Sequence, residues 1–186
     1  MIVKRIVLLS LALLVVGAGA VVALGSRQGE REVVEGGPLD PGRESGSSAS
    51  LPVPVGGAAS FGLLFPENGG DAPATFETVE LAEASDGLEI VGAYVQPLRA
   101  PGVGMLNGFP PRGAAAGRQQ LDGAEIAPGE TLRLVVGLRA RTAGWHTGEG
   151  FRVRYHVGDT TYVASFGYGV RLCAPYRKWF GRCPAP

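Results

Sequence analysis

The chain has 186 residues, and 17 Lys plus Arg are balanced by 17 Asp plus Glu, so the formal net charge is zero. That length holds one domain with accessory segments, not two full domains. A neutral chain lacks the basic surface with which general nucleic-acid binders neutralise phosphates, so nucleic acid is excluded as a partner. Only Lys4 and Lys178 are lysines among the basic residues, and 30 Gly and 14 Pro accompany an Arg-, Ala- and Val-rich composition, a habit of GC-rich bacterial genomes.

Lys4 and Arg5 precede an uncharged apolar run of 19 residues, 6–24, reading IVLLSLALLVVGAGAVVAL. As a helix it spans roughly 28 Å, close to the ~30 Å hydrocarbon core of a bilayer. A secretory signal would end its apolar core near Gly17 and be cut after Ala18-Gly19-Ala20. Because Val21, Val22, Ala23 and Leu24 carry the run past that point, residues 1–25 are read as a transmembrane anchor, with a cleaved signal sequence as the alternative. Either way residues 26–186 lie outside the cytoplasmic membrane, with the amino terminus and its two cations inside. The expected location is thus the cell membrane, single-pass, with an extracytoplasmic C-terminal domain.

Residues 26–58 are rich in Gly, Ser, Pro and charge and show neither a helical nor an alternating period, which predicts a disordered linker. From about Ser60 short alternating runs begin. Strands are expected over Phe61–Phe65, Thr75–Leu81, Leu88–Val95, Leu121–Ile126 and Thr131–Arg141, with a type II turn at Pro128-Gly129. In Phe151–Val157 (FRVRYHV), Phe151, Val153, Tyr155 and Val157 share one parity, and Arg152, Arg154 and His156 the other. Gly158-Asp159 then closes a two-residue hairpin, and from Tyr162 the alternation resumes through Leu172. Short strands, Gly/Pro turns and no helical period past the anchor predict an all-β domain, an antiparallel β-sandwich over 59–173, with a basic-aromatic tail over 174–186.

Chemistry is sparse. Motifs for a nucleophile elbow, a zincin helix or a phosphate loop are missing, no cofactor is implied, and the carboxylates read as solvated faces and turns, so the chain is not expected to be an enzyme. Cys173 and Cys183 are the only cysteines. Outside the membrane such a pair reads as a disulfide, closing an 11-residue ring. In the loop-entropy account that ring constrains the unfolded chain by about 2.8 kcal/mol. Two candidate partner-binding features stand out. Gln96–Gln120 is a long stretch without strand period that carries apolar Met105, Leu106 and Phe109, fitting either a partner or an open sandwich edge. The tail, 171–186, has four basic residues and no acid, against a net charge of −4 over 59–170. Tyr176, Arg177, Lys178, Trp179 and Phe180 lie inside the expected ring, a patch suited to anionic headgroups, anionic wall polymer or an acidic protein face.

The succession of strand, APGETL turn, long alternating strand and terminal hairpin over residues 60–173 resembles an immunoglobulin-like sandwich. The buried Trp and paired Cys of antibody-type domains are not part of the pattern. Taken whole, anchor, tether and sandwich resemble membrane-anchored envelope proteins of GC-rich bacteria. That resemblance implies a binding or assembly module of the cell envelope, its partner an envelope protein or an anionic envelope surface. Periplasmic copper chaperones are also small β-sandwiches with a Pro-Gly turn, which makes metal binding through His146, His156 and Met105 the alternative. The ordered His and Met set of that family is mostly missing, and no metal site is assigned.

Overall fold

The structure, a computed structural model, describes residues 33–42, 46–112 and 117–174. Fifteen strands occupy them: β1 (Val33–Glu35), β2 (Leu39–Asp40), β3 (Ser48–Pro52), β4 (Ala58–Leu64), β5 (Glu67–Asn68), β6 (Ala74–Leu81), β7 (Leu88–Pro97) and β8 (Met105–Asn107) in the first half. β9 (Gln119–Gln120), β10 (Glu125–Ile126), β11 (Leu132–Ala140), β12 (Gly144–Gly148), β13 (Phe151–Val157), β14 (Thr160–Phe166) and β15 (Gly169–Ala174) complete the order. Among the described residues there is no helix, and none long and apolar enough to cross a membrane. The apolar run 6–24 lies outside the described residues.

One sheet has the order β1-β14-β13-β6-β10 and the other β8-β4-β11-β7-β9. Lettering the six long strands β4, β6, β7, β11, β13 and β14 as B to G puts B, E and D side by side in one sheet and C, F and G in the other. That is the immunoglobulin-type partition, reached here through strand order alone. The two sheets meet face to face over Phe61, Leu134, Val136 and Leu138 from one and Phe76, Phe151, Val153 and Tyr155 from the other, all fully buried. Alternation accounts for this: every second residue of a strand faces the core, and these positions carry the apolar side chains. Phe61 on β4 stacks on Phe151 on β13 with ring centroids 5.2 Å apart. An aromatic pair therefore joins the strands that a disulfide joins in antibody domains.

The hairpin over β13 and β14 turns at Gly158-Asp159, with Val157 opposite Thr160, as its sequence predicts. It continues through β12 and β15, which pair from Gly148↔Val170 to Gly144↔Ala174. Between the two halves the register slips by one residue, so the second arm is bulged around Gly167. A bulge bends its ribbon, and the far half forms a separate sheet, β12-β15-β3. A second bulge lies in β6, where Thr78 opposes Arg154 and Phe76 opposes Tyr155, leaving Glu77 as the extra residue. Phe76 and Val79 would fall on opposite faces of a regular strand; the bulge lets both pack toward the core.

Residues 33–58, read as linker from their composition, differ from that expectation. β1 and β3 run parallel to β14 and β15 along the edge of the β14 sheet and of its continuation, and β2 pairs with β5. Long-range contacts that composition does not register hold them. Tyr155, fully buried, donates its hydroxyl to the carbonyl of Gly36 at 2.8 Å and accepts from the N–H of Leu39 at 3.2 Å. Leu39 itself is only 2% exposed. Gly37 lies against the Tyr155 hydroxyl and the Tyr162 ring, leaving no room for a Cβ. Nearby, the buried Asn68 side chain donates to the carbonyls of Ala72 at 2.9 Å and Ile126 at 3.0 Å, fixing the turn after β5.

Candidate functional site

The outward face of the β4-β11-β7 sheet is unusual in being covered. Three glycines, Gly62, Gly92 and Gly137, lie within its central strands. A Cβ at Gly62 would collide with Val103, and one at Gly92 or Gly137 with the ring of Phe109. Gly92 and Gly137, paired across β7 and β11, leave a bare trough for Phe109, and Gly62 on β4 leaves room for Val103. A glycine inside an otherwise apolar strand pattern often marks such a close approach, so FGLLF, LEIVGAYV and TLRLVVGLRAR held the signal, which the alternation count passed over. Val103 and Phe109 join Tyr94 and Val135 in a small second core on this face.

Backbone and side-chain hydrogen bonds fasten the cover. Gly62 N–H donates to Gly104 O at 2.8 Å, Gly108 N–H to Ala58 O at 2.7 Å, and Ser60 Oγ to Gly108 O at 2.6 Å. From the facing strands, Gln96 Nε2 donates to Pro101 O at 3.1 Å, and Arg133 Nη1 donates to the carbonyls of Ala100 and Pro101 at 3.4 Å. The Arg133 guanidinium also lies 5.6 Å over the Phe65 ring. The stretch from Gln96 to Gln120 is therefore an ordered cover in its described part. It contributes β8 to the edge of β4 and β9 to the edge of β7.

At the β7 edge of this cover lies an open groove of about 390 Å³, lined in part by Gly92, Tyr94, Phe109, Pro110, Arg118 and Gln120. Tyr94 and Phe109 stack at 5.9 Å, and the Arg118 guanidinium lies 5.2 Å over the Tyr94 ring. Gln120 faces Tyr94 across the β7–β9 pair. Tyr94 is 4% exposed, and its hydroxyl is enclosed beside the Arg118 side chain. Burial raises the Tyr94 hydroxyl above its ordinary value, against the opposing pull of Arg118 and Arg133. No carboxylate is among the lining residues.

The residues expected from sequence are distributed as follows. Phe109 is the keystone of the cover, Met105 packs against the main core, and Leu106 remains 45% exposed. His146, 3% exposed on β12, has Nε2 2.8 Å from the Thr142 carbonyl and Nδ1 3.1 Å from that of Asp86. His156, on β13, has Nδ1 3.1 Å from Glu77 Oε1. The two histidines lie on β12 and β13, which belong to different sheets, and Met105 on β8 belongs to a third. Among the described residues no group of three metal-ligating side chains gathers. Both imidazoles are engaged with protein oxygens that fasten strands and turns. Cys173, 1% exposed at the end of β15, is not a free thiol. Cys183 and Tyr176, Arg177, Lys178, Trp179 and Phe180 lie outside the described residues.

Compared with protein-family models and with curated proteins, the chain finds no match. Among solved structures it is similar to the VesB protease of Vibrio cholerae, at 12% identity and a TM-score of 0.37, over 74% of this chain and 32% of that one. It is similar also to the ASH/PapD-like domain 7 of human CEP192, at 11% identity and a TM-score of 0.37, over 71% of this chain and 83% of that domain. The chain thus spans about a third of the length of the protease it resembles.

Proposed function

We propose that the protein is a membrane-tethered, extracytoplasmic and non-catalytic binding or assembly module of the cell envelope. The observation that carries this reading is the immunoglobulin-type partition of the strands into two facing sheets, an architecture shared by many cell-surface domains. In this reading Cys173 pairs with Cys183, and the ring holds Tyr176, Arg177, Lys178, Trp179 and Phe180 together as the surface that meets an acidic partner or an anionic envelope polymer.

Two measurements test it. The full-length protein should fractionate with membranes and resist alkaline carbonate extraction; recovery of a mature chain beginning at Val21 from the soluble fraction overturns the tether. A photo-crosslinking residue at position 179 should capture an envelope component, whereas one at Asp159, beside the hairpin turn, should not. Identical adducts from both positions, or none from 179, refute the tail as the binding surface.

A further inference from the structure

We propose that β1 is a dimerisation edge, on which the β1 of a second copy of this chain pairs antiparallel about a two-fold axis at Val33. This goes beyond the binding-module reading and rests on it only for the tether that gathers copies in one membrane. β1 ends one side of the β1-β14-β13-β6-β10 sheet, and among the described residues no strand covers its outer side. Native edges are usually blunted by Pro, Lys or a bulge. Here Val33, Val34 and Glu35 match Thr161, Tyr162 and Val163 one for one without a bulge, and neither Pro nor Lys is among them. Successive residues of a strand point to opposite faces. Val33 and Val34 are 42% and 38% exposed, so both faces of this edge carry unburied apolar surface.

Hydrogen bonding and charge select the register. Gly36 N–H donates to Val163 O at 2.8 Å. Alternate residues of a strand bond to the same side, so Val34 bonds toward β14, while the N–H and C=O of Val33 and Glu35 point away from it. An antiparallel partner sets outward-bonding residues against each other, so a two-fold axis passes through a residue and not between two. Centring it on Glu35 opposes two carboxylates, and centring it on Val34 opposes Val33 and Glu35. Centring it on Val33 sets Arg31 of each copy against Glu35 of the other, two opposite-charge pairs flanking the paired valines. Opposite charges facing each other across strands stabilise and like charges destabilise, and an isologous contact occurs twice. Glu35 pairs with Arg152 and its side chain is still 66% exposed, which leaves room for a second cation. The complement of Glu35 thus lies in this chain's own sequence, and that commits the edge to a second copy. The two five-stranded sheets then join into one. In the tethered reading the eight residues 25–32 reach at most about 26 Å, which holds the β1 edges of neighbouring copies in one thin layer and raises their effective concentration.

Cysteine crosslinking of the full-length protein in isolated membranes tests the register, read as a reducible dimer on a non-reducing gel. Residues opposed in a hydrogen-bonded antiparallel pair have Cα atoms about 5.5 Å apart, within disulfide reach. In this register Val34 and its copy are diagonal neighbours about 7–8 Å apart, beyond that reach. Val33→Cys is expected to give the dimer. Val34→Cys is not, nor is Leu106→Cys, a collision control exposed on β8 of the other sheet. Adding Glu35→Arg to Val33→Cys should lower the crosslinked fraction by about threefold or more, and adding Arg31→Glu to both should restore it. Val33, Val34 and Glu35 are exposed, so near-UV circular dichroism should be unchanged. A dimer from Val34→Cys in place of Val33→Cys, equal dimer at all three positions, none at Val33→Cys, a disulfide to a different protein, or no effect of Glu35→Arg overturns the edge. The soluble fraction is read in the same way. A soluble chain that still crosslinks at position 33 overturns the tether and leaves the edge standing; a membrane-held chain that does not crosslink there does the reverse.

Discussion

Replacing Tyr155 by Phe removes one oxygen atom from the middle of β13 and tests whether the segment before β4 belongs to the fold. That oxygen donates to Gly36 O at 2.8 Å and accepts from the Leu39 N–H at 3.2 Å, in surroundings where Tyr155 is 0% and Leu39 2% exposed. The ring itself stays, stacked on Tyr162 at 5.5 Å, so the cavity left is small. One hydrogen bond of ordinary net value is lost and one buried N–H is left without its acceptor, which together cost about 2–3 kcal/mol. For a domain of this size that lowers Tm by roughly 5–10 °C. Differential scanning calorimetry of wild type and Tyr155→Phe measures the total. Hydrogen exchange locates it: protection should fall first at Leu39 and across β1, while β11 and β13 keep theirs. A Tm indistinguishable from wild type, with the Leu39 amide equally protected, would show that the hydroxyl does not hold the segment.

Other outcomes follow from the same geometry. Val153→Ala removes fully buried methyl groups and should cost about 1–3 kcal/mol. Arg152→Ala, whose ion pair with Glu35 is largely solvated at 45% and 66% exposure, should cost under about 1 kcal/mol; equal melting temperatures would refute the register. Burial raises both Tyr94 and Tyr155 above the ordinary tyrosine value of 10.0. The unfolded chain therefore ionises first: the contribution of these groups is complete below about pH 10 and is lost as pH rises through their folded values. Absorbance at alkaline pH, read with single Tyr94→Phe and Tyr155→Phe variants, should show these two hydroxyls ionising above 10.0 and together with unfolding; their ionisation below that in the folded protein refutes the burial. Thiol titration of the native protein should find no reactive cysteine, and Cys183→Ser should expose one at Cys173; two free thiols in the wild type exclude the ring.

The Phe151–Leu172 hairpin was legible in the sequence because its information is local. A two-residue turn and a period of two determine both the pairing and the inward face, so Phe151, Val153, Tyr155 and Phe166 are buried where the parity puts them. The same holds for Leu134, Val136 and Leu138 on β11. An all-β sandwich with immunoglobulin-like order follows from such runs and the turns between them. Three things were decided only by the tertiary structure. Residues 33–58 join the sheets because Tyr155, more than a hundred positions away in the chain, offers hydrogen bonds that a Gly- and Ser-rich segment cannot make with itself. The bulge at Glu77 brings Phe76 and Val79 to one face, which no strict alternation allows. And Phe109 seats on the sheet because Gly92 and Gly137, from two different strands, lie opposite each other and leave room for its ring, beside Tyr94 and Arg118. Alternation is a property of one strand, whereas a trough is a property of neighbouring strands, and adjacency in a sheet is set by which faces bury the most apolar surface together.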